Sequence, residues 1–255
     1  MRPEHPIVLI TGASSGFGEA MARLLASQGC HLALGARRVE RVKALAEELQ
    51  KAYGIRTFAG SVDTRHTASV DTFVAEAVEA LGGLHVIVAN AGLASGTFKM
   101  WETPDEDLEA MMRTNVEGVV KTIRAGLPHV RKAGWGHVFF IGSTAGHQAY
   151  EGGSVYCASK FGVKAMARSL RLEVNGEQIR VTSVDPGMAE TEFSNVRLKD
   201  DAKAAAVYQG VKPLTAYDVA ECVRWCLMLP DHVNIDEIQV KCTDQAAVHK
   251  LHRRS

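Results

Sequence analysis

The stretch Ile7-Val8-Leu9-Ile10-Thr11-Gly12-Ala13-Ser14-Ser15-Gly16-Phe17-Gly18 decides the fold of this 255-residue chain. Its apolar start predicts a buried strand, and the glycines that follow predict a tight turn that opens a helix. Gly12 permits the turn, Gly16 lets backbone amides approach a pyrophosphate, and Gly18 allows the helix to pack closely on the strand. The helix N-terminus favours an anion. The pattern predicts a dinucleotide-binding turn, and a plain strand–turn–helix unit is the alternative.

Strand-like and helix-like segments alternate along the rest of the chain. Short apolar runs predict further strands, and helical spacing of apolar residues predicts the helices between them. This alternation predicts one α/β domain over residues 1–255, a Rossmann fold whose doubly wound parallel sheet has helices on both faces. We expect the further strands at 31–35, 56–59, 85–89, 137–141, 180–184 and 235–240, and helices at 39–52, 67–81, after Pro104 and at 156–175.

Residues 188–213 are the least regular part of the chain. They follow the strand expected at 180–184, on the carboxyl side of the sheet, where ligands bind in folds of this type. We interpret this lid segment as a mobile cover over a substrate. A loop that only crosses the edge of the sheet is the alternative interpretation.

Composition argues against several classes of function. Lysine plus arginine and aspartate plus glutamate both total 29, so the charge balance indicates no nucleic-acid partner. Five cysteines and ten histidines lack ligand-like spacing, so we expect no metal site and no disulfide framework. No apolar run approaches the ~20 residues that span a bilayer, and no hydrophobic leader precedes Ile7. We therefore expect no membrane association and a reducing, cytoplasmic location.

Tyr156 and Lys160 are four residues apart in Tyr-Cys-Ala-Ser-Lys, within a segment of helical periodicity. This spacing puts both side chains on one helix face, one turn apart. A free phenol titrates near ~10, and a neighbouring ammonium favours the phenolate and lowers its pKa. The pair is therefore a candidate acid/base, although pairs at this spacing also arise by chance on helix surfaces.

Two polar residues upstream extend this candidate site. Ser143 follows the apolar run expected at 137–141, and Asn115 lies in Arg-Thr-Asn-Val-Glu-Gly within a helical stretch. Each has an ordinary alternative: Ser143 as a turn residue at the end of a strand, and Asn115 as a helix residue bonded to the backbone. The order of glycine-rich turn, Asn115, Ser143, Tyr156 and Lys160 makes a joint role the better interpretation.

With these motifs the chain resembles the short-chain dehydrogenase/reductase family, over nearly its whole length. Ala89 is a small departure, because many members have a second asparagine there, but the Asn-Ala-Gly that follows is intact. The resemblance is carried by Thr-Gly-x-x-x-Gly-x-Gly at 11–18, Asp63, Asn90-Ala91-Gly92, Asn115, Ser143, Tyr156, Lys160, Pro186-Gly187 and Thr191.

The resemblance implies hydride transfer between a nicotinamide and a carbinol or carbonyl carbon. Tyr156 would be the acid/base, and Lys160 would stabilise its phenolate and hydrogen-bond the nicotinamide ribose. Ser143 would hold the substrate oxygen beside Tyr156. Asn115 would help to hold a water that links Lys160 to solvent. The family also implies a homotetramer, with a dimer as the fallback.

The residues after the second strand indicate which cofactor binds. Ala36 stands where an acid would accept the 2′-hydroxyl of NAD, and Arg37 and Arg38 follow it. Arginine accepts a 2′-phosphate, so we expect NADP, with Arg37 as the main contact and Arg38 supporting; ordinary surface arginines are the alternative. The expected cofactor-binding set is Gly12, Ser14, Ser15, Gly16, Phe17, Gly18, Arg37, Arg38, Asp63, Thr64, Asn90, Ala91, Gly92, Tyr156, Lys160, Pro186, Gly187 and Thr191.

Within that set, the resemblance implies separate positions along the cofactor. Asp63 and Thr64 would border the adenine, and Asn90 to Gly92 would lie under the adenosine. Pro186, Gly187 and Thr191 would border the nicotinamide carboxamide.

Segments at 190–197, 207–208 and 243–246 look like those of NADP-dependent 3-hydroxy acid (serine) dehydrogenases. Such enzymes oxidise serine, allo-threonine and related acids at C3. A small-molecule carboxylate needs a cation, and Arg197 is our candidate for it, together with Ser143 and Tyr156 at the reacting oxygen. A surface salt bridge is the alternative role for Arg197. A broad carbonyl reductase or alcohol dehydrogenase, and a non-enzymatic NADP(H)-binding regulator, are the alternative functions.

Overall fold

A parallel sheet forms the centre of the computed structural model, which describes residues 1–254. The predicted domain extends to residue 255, which lies outside the described residues. The strands are β1 (Ile7–Thr11), β2 (His31–Ala36), β3 (Thr57–Ser61), β4 (Val86–Ala89), β5 (Gly136–Ile141), β6 (Ile179–Pro186) and β7 (Glu237–Val240). Their order is β3-β2-β1-β4-β5-β6-β7, and every neighbouring pair is parallel.

This strand order confirms the doubly wound fold. The chain steps outward from β1 through β2 to β3, then returns to place β4 on the other side of β1. Connections leaving β1 and β4 therefore diverge, and a crevice opens at the carboxyl ends of these strands. The glycine-rich turn follows β1, so the fold places it at this crevice.

Helices cover both faces of the sheet. Alternate residues of β1 point to opposite faces. Val8 and Ile10 belong to one core cluster, and Ile7 and Leu9 belong to the other. The helices are α1 (Gly16–Ser27), α2 (Val39–Tyr53), α3 (Thr67–Leu81), α4 (Asp105–Met112), α5 (Gly118–Ala133), α6 (Ser154–Glu173), α7 (Phe193–Leu198), α8 (Asp201–Val207) and α9 (Ala216–Met228).

The helical region after Pro104 differs from the single long helix that the sequence predicts. A π-helical turn, Arg113–Glu117, separates α4 from α5, and Asn115 lies inside it. A π turn inserts a residue into the helix and is frequent at functional sites. Asn115 is therefore displaced from the regular position that a continuous helix would give it.

Two further regions depart from the expectations. The lid segment contains α7 and α8, so it is more regular than its sequence suggests. A small antiparallel pair, β8 (Gln245–Ala247) and β9 (Lys250–Leu251), follows β7 and lies outside the main sheet. Within residues 1–254, no helix combines the length and the apolar character needed to cross a membrane.

Candidate active site

The glycine-rich turn and the end of β4 are locked together at the crevice. Asn90 Nδ2 donates a hydrogen bond to the carbonyl of Thr11 at 2.8 Å. Gly12 has φ of +71°, and a Cβ on it would lie 3.0 Å from Asn90 Nδ2. A Cβ on Gly18 would collide with the carbonyl oxygen of Gly12. Glycine is required at both positions, for the turn and for the close approach of α1.

A cavity of about 540 Å³ runs from this turn to α6 and the lid segment. It brings together most residues of the predicted site, whereas seven predicted residues lie outside its lining. The predicted site residues among those that line it are Gly12, Ser15, Gly16, Phe17, Asn90, Ala91, Gly92, Ser143, Tyr156, Lys160, Pro186, Gly187, Thr191 and Arg197. Those outside the lining are Ser14, Gly18, Arg37, Arg38, Asp63, Thr64 and Asn115.

Tyr156 lies in the first turn of α6, and only 9% of it is exposed. Burial raises the pKa of its phenol above the ordinary value, and the Ser143 hydroxyl acts in the opposite direction. This corrects the lowered pKa predicted from the Tyr–Lys spacing. Lys160 Nζ lies 5.9 Å from the centroid of the Tyr156 ring, and burial is the largest influence on the pKa of the phenol. With the protein's own groups alone, Tyr156 is a proton donor at neutral pH.

Lys160 is buried at the bottom of the cavity, with 7% exposed. Its Nζ donates to the carbonyl of Ile141 at 2.8 Å. Burial lowers the pKa of its ammonium to about 8, and the charge of Asp185 acts in the opposite direction. The ammonium is therefore mostly charged at neutral pH and begins to lose its proton within a pH range where enzymes are commonly studied.

Hydrogen bonds hold both Ser143 and Asn115 in place. Ser143 caps a 3₁₀ turn after β5, and its Oγ accepts from the amide of Ala145 at 3.1 Å. Asn115 Oδ1 accepts from the amide of Leu93 at 2.8 Å, while its Nδ2 donates to Ser159 Oγ at 3.0 Å. Asn115 thus joins the loop after β4 to α6. Its predicted water contact stays a prediction.

The two arginines after β2 are in different environments. Arg38 Nε donates to Ser14 Oγ at 3.2 Å, and its Nη2 donates to Ser15 Oγ at 2.6 Å. Its Nη1 contacts the Glu192 carboxylate at 2.8 Å. Arg37 is exposed, and within residues 1–254 it forms no side-chain hydrogen bond or ion pair. Arg37 therefore has its guanidinium available, whereas Arg38 is already engaged.

Arg197, on α7, places a cation over the candidate catalytic tyrosine. Its guanidinium carbon lies 5.8 Å from the ring centroid of Tyr156 and 5.5 Å from that of Tyr150. Arg197 Nε donates to the carbonyl of Gly96 at 3.1 Å, and the Gly96 amide donates to the Arg197 carbonyl at 2.8 Å. Among residues 1–254 no carboxylate pairs with Arg197, so the surface salt bridge considered above does not form.

Comparison with known proteins identifies the family. A family model for short chain dehydrogenase matches residues 6–202. The chain belongs to the short-chain dehydrogenase family. It is 39% identical to the NADP-dependent 3-hydroxy acid dehydrogenase YdfG of Escherichia coli strain K12 over 251 residues, which cover 97% of this chain and 100% of that protein. It is 41% identical to sulfoacetaldehyde reductase 2 of Chromohalobacter salexigens over 242 residues, covering 94% and 95%.

A solved structure extends the similarity to three dimensions. The closed form of serine dehydrogenase complexed with NADP+ matches with a TM-score of 0.90 and 39% identity, covering 97% of this chain and 100% of that one. The family resemblance drawn from the glycine-rich turn and the Tyr–Lys pair is thereby confirmed. The cavity between the glycine-rich turn after β1 and the Tyr–Lys pair of α6 fits this dehydrogenase fold.

Asp63 and Thr64, which are predicted to border the adenine, lie outside the cavity lining. Both oxygens of Asp63 accept from Arg65, at 2.9 Å from Nε and 2.6 Å from Nη2. The hydrogen bond from Arg65 lowers the pKa of Asp63 to about 2. Thr64 is buried beneath Gly118, whose added Cβ would lie 2.7 Å from Thr64 Oγ1. The Asp63 carboxylate is thus committed to Arg65, and its contact with adenine stays a prediction.

Several groups at or near the dehydrogenase site are not predicted by patterns in the sequence. Tyr150 and Glu192 line the cavity, but neither residue was assigned a role from the sequence. His147, Asp185 and Glu237 offer ligand atoms within 4.8 Å of one another, and none of the three lines the cavity. Lys164 Nζ lies 2.7 Å from His147 Nδ1 and 3.5 Å from Glu237, so a cation already balances this cluster. Long-range packing brings these groups together, and no local spacing signals it.

Proposed function

We propose that the protein is an NADP(H)-dependent oxidoreductase that interconverts an alcohol and a carbonyl on a small acid, a 3-hydroxy acid such as serine or allo-threonine. The observation that carries this proposal is the cation of Arg197 over the ring of Tyr156. A substrate whose reacting oxygen lies at the phenol would have its acid group within reach of this guanidinium. Arginine binds a carboxylate or a sulfonate through two parallel hydrogen bonds.

The names of the relatives support an acidic substrate. One is a 3-hydroxy acid dehydrogenase, and another is a sulfoacetaldehyde reductase. Both names describe small molecules with an anionic group close to the oxidised or reduced carbon. Arg197 provides the charge that such molecules require.

Tyr156 handles the proton in the proposed reaction. NADP(H) supplies or accepts the hydride. The Tyr156 phenol donates a proton to a carbonyl oxygen or, as phenolate, accepts one from an alcohol. The Lys160 ammonium favours the phenolate, and the Ser143 hydroxyl orients the substrate oxygen beside it. The raised pKa of Tyr156 suits proton donation, and nearby positive charge is what makes the reverse direction accessible.

The test is a screen of NADP+ reduction by the purified protein. The candidate substrates are serine, allo-threonine, 3-hydroxyisobutyrate and 2-hydroxyethanesulfonate, compared with simple secondary alcohols. Turnover of an acid with a higher kcat/KM than every neutral alcohol supports the proposal. Preference for the neutral alcohols would favour a general carbonyl reductase, and no turnover with any substrate would favour a regulator that only binds NADP(H).

Arg37→Ala is expected to raise the KM for NADP+ by about tenfold and to leave that for NAD+ nearly unchanged. A charge-assisted hydrogen bond contributes about 1.5–3 kcal/mol, and the exposure of Arg37 places the effect at the low end of that range. The check is kcat/KM for both cofactors in wild type and variant. Equal kcat/KM values for NADP+ and NAD+ in the wild type would contradict the cofactor assignment.

We also propose that the protein assembles as a homotetramer, with a dimer as the fallback. Exposed apolar side chains on α5 and α6 support this: Val120 is 47% exposed, Phe161 is 44% and Leu172 is 78%. Small residues on α6, including Ala158 and Gly162, permit close approach of a second copy. Light scattering at micromolar concentration should give four times the monomer mass, and a monomer would contradict the proposal.

The five free cysteines support the predicted cytoplasmic location.

A further inference from the structure

One contact joins the lid segment directly to the helix that begins beside the cofactor arginines. Glu192 precedes α7, and its two carboxylate oxygens accept from two different arginines. Arg38 Nη1 lies 2.8 Å from Oε2, and Arg41 Nη1 lies 2.9 Å from Oε1. These hydrogen bonds hold the pKa of Glu192 down to about 2. Glu192 is therefore an anion at every pH at which the protein would work.

This carboxylate occupies one of the donors that a 2′-phosphate at Arg38 would use. Arg38 has donors at Nε, Nη1 and Nη2, and in this structure they contact Ser14, Glu192 and Ser15 respectively. The Arg38 guanidinium, with the Ser14 and Ser15 hydroxyls beside it, forms a site for an anion. In this structure the anion is the protein's own Glu192 carboxylate. A phosphate that takes over the Nη1 hydrogen bond now made to Glu192 has to displace this carboxylate.

We propose that Glu192 is a specificity-determining residue that competes with the 2′-phosphate of NADP(H) for Arg38, so that the phosphate releases the lid segment from α2. This inference rests on the proposed NADP(H) dependence. NAD(H) carries a hydroxyl in place of the phosphate and leaves the Glu192–Arg38 contact in place. Only the phosphorylated cofactor therefore both binds the arginines and frees the lid segment.

The position of Glu192 explains how its release would affect the site. Its neighbour Thr191 packs against the glycine-rich turn, with its Cβ 3.5 Å from the place of a Cβ on Gly16. At the other end of α7, Arg197 is held by Gly96 through reciprocal backbone and side-chain hydrogen bonds. Lys199 Nζ, just after α7, lies 3.4 Å from Asp107 Oδ1. The lid segment is thus attached to α2 at Glu192, and to the other side of the cleft at Arg197 and Lys199. Release of Glu192 frees the attachment to α2 and leaves those to Gly96 and Asp107.

Charge repulsion sets the direction of the expected effect. A phosphate bound at Arg37 and Arg38 would lie beside the Glu192 carboxylate, and like charges at short distance repel each other. Glu192→Gln removes that repulsion and keeps the shape of the side chain. Glu190→Gln is the matched control, because Glu190 is an exposed acid of the same segment and forms no side-chain ion pair within residues 1–254.

The experiment measures binding by calorimetry, with NADP+, NAD+, adenosine 2′-monophosphate and adenosine 5′-monophosphate as the ligands. Glu192→Gln should bind NADP+ and adenosine 2′-monophosphate about three- to tenfold more tightly than wild type, the range for one exposed charge contact. Binding of NAD+ and adenosine 5′-monophosphate should change by less than about twofold. Glu190→Gln should match wild type for all four ligands.

Limited trypsin digestion gives a second readout, since the lid segment contains Arg197, Lys199 and Lys203. Adenosine 2′-monophosphate should speed cleavage there in wild type, and Glu192→Gln should be cleaved at that faster rate without ligand. Weaker NADP+ binding by Glu192→Gln, equal effects of the two variants, or protection of the lid by adenosine 2′-monophosphate would each overturn the inference. Equal affinity of wild type for NADP+ and NAD+ would instead overturn the proposed function.

Discussion

Tyr156→Phe is expected to lower kcat by at least about 10²-fold, the low end of the contribution from a positioned acid/base. The substitution removes one oxygen and keeps the ring, which is buried and lies 5.8 Å from the ring of Phe193. The fold and the cofactor groove therefore stay nearly intact, and the loss falls on the proton-transfer step.

Two measurements separate this loss from a structural defect. Binding of NADP+ by fluorescence should be nearly unchanged in Tyr156→Phe, and a substrate deuterium isotope effect should show that hydride transfer limits the rate. Tyr150→Phe is the matched control, because the Tyr150 ring centroid also lies close to the Arg197 guanidinium, at 5.5 Å, and Tyr150 has no assigned proton transfer. Near-normal turnover by Tyr156→Phe, with chemistry limiting the rate, would refute the assignment of Tyr156 as the acid/base.

Local patterns in the sequence were enough to predict the fold. The glycine-rich turn requires glycine because of contacts between residues close in the chain and at the end of β4. Buried parallel strands appear as short apolar runs, and β1, β2, β4, β5 and β6 lie close to the predicted positions because nearly all of their residues are buried. The edge strand β3 is less buried, and it lies at Thr57–Ser61 in place of the expected 56–59. The crevice then follows from strand order, which the alternation of strands and helices implies.

The lid segment was predicted less well because its helices are short and capped locally. Asp200 accepts a hydrogen bond from the amide of Lys203 at 3.1 Å and caps α8. The sequence Asp-Asp-Ala-Lys-Ala-Ala-Ala at 200–206 combines such a cap with strong helix formers. That signal was available, but the surrounding irregular composition obscured it.

The features of the site that sequence could not reveal depend on burial and on distant partners. Burial is the largest influence on the pKa of Tyr156, and burial is a property of the folded chain. Glu192 meets Arg38 across 154 positions of sequence, and Arg197 meets Gly96 across 101. The π turn at Asn115 likewise has no pattern in the residues that form it. Spacing identifies which residues are chemically capable, and packing decides what they contact.

Arg197→Ala is expected to reduce kcat/KM for an acidic substrate by about 10²-fold, the effect of losing a charge-assisted contact in a desolvated site. For a neutral alcohol of the same size, kcat/KM should hardly change. Arg197→Lys should recover only part of the loss, because a point charge replaces a planar group with two parallel donors. Lys203→Ala is the matched control, since it removes a cation of the lid segment that lies outside the cavity lining.

Comparing an acidic substrate with a neutral alcohol of the same size distinguishes a charge contact of Arg197 from structural support of the lid. Arg197 also fastens the lid segment to Gly96, so its removal could weaken the lid for every substrate. A lysine at this position keeps the positive charge but lacks the Nε donor. If Arg197 binds the acid group, kcat/KM falls only for the acid in Arg197→Ala, and the lysine variant lies between wild type and alanine. An equal loss of kcat/KM on both substrates in both variants would mean that Arg197 supports the lid and does not bind the substrate. A wild type that prefers the neutral compound would favour the general carbonyl reductase.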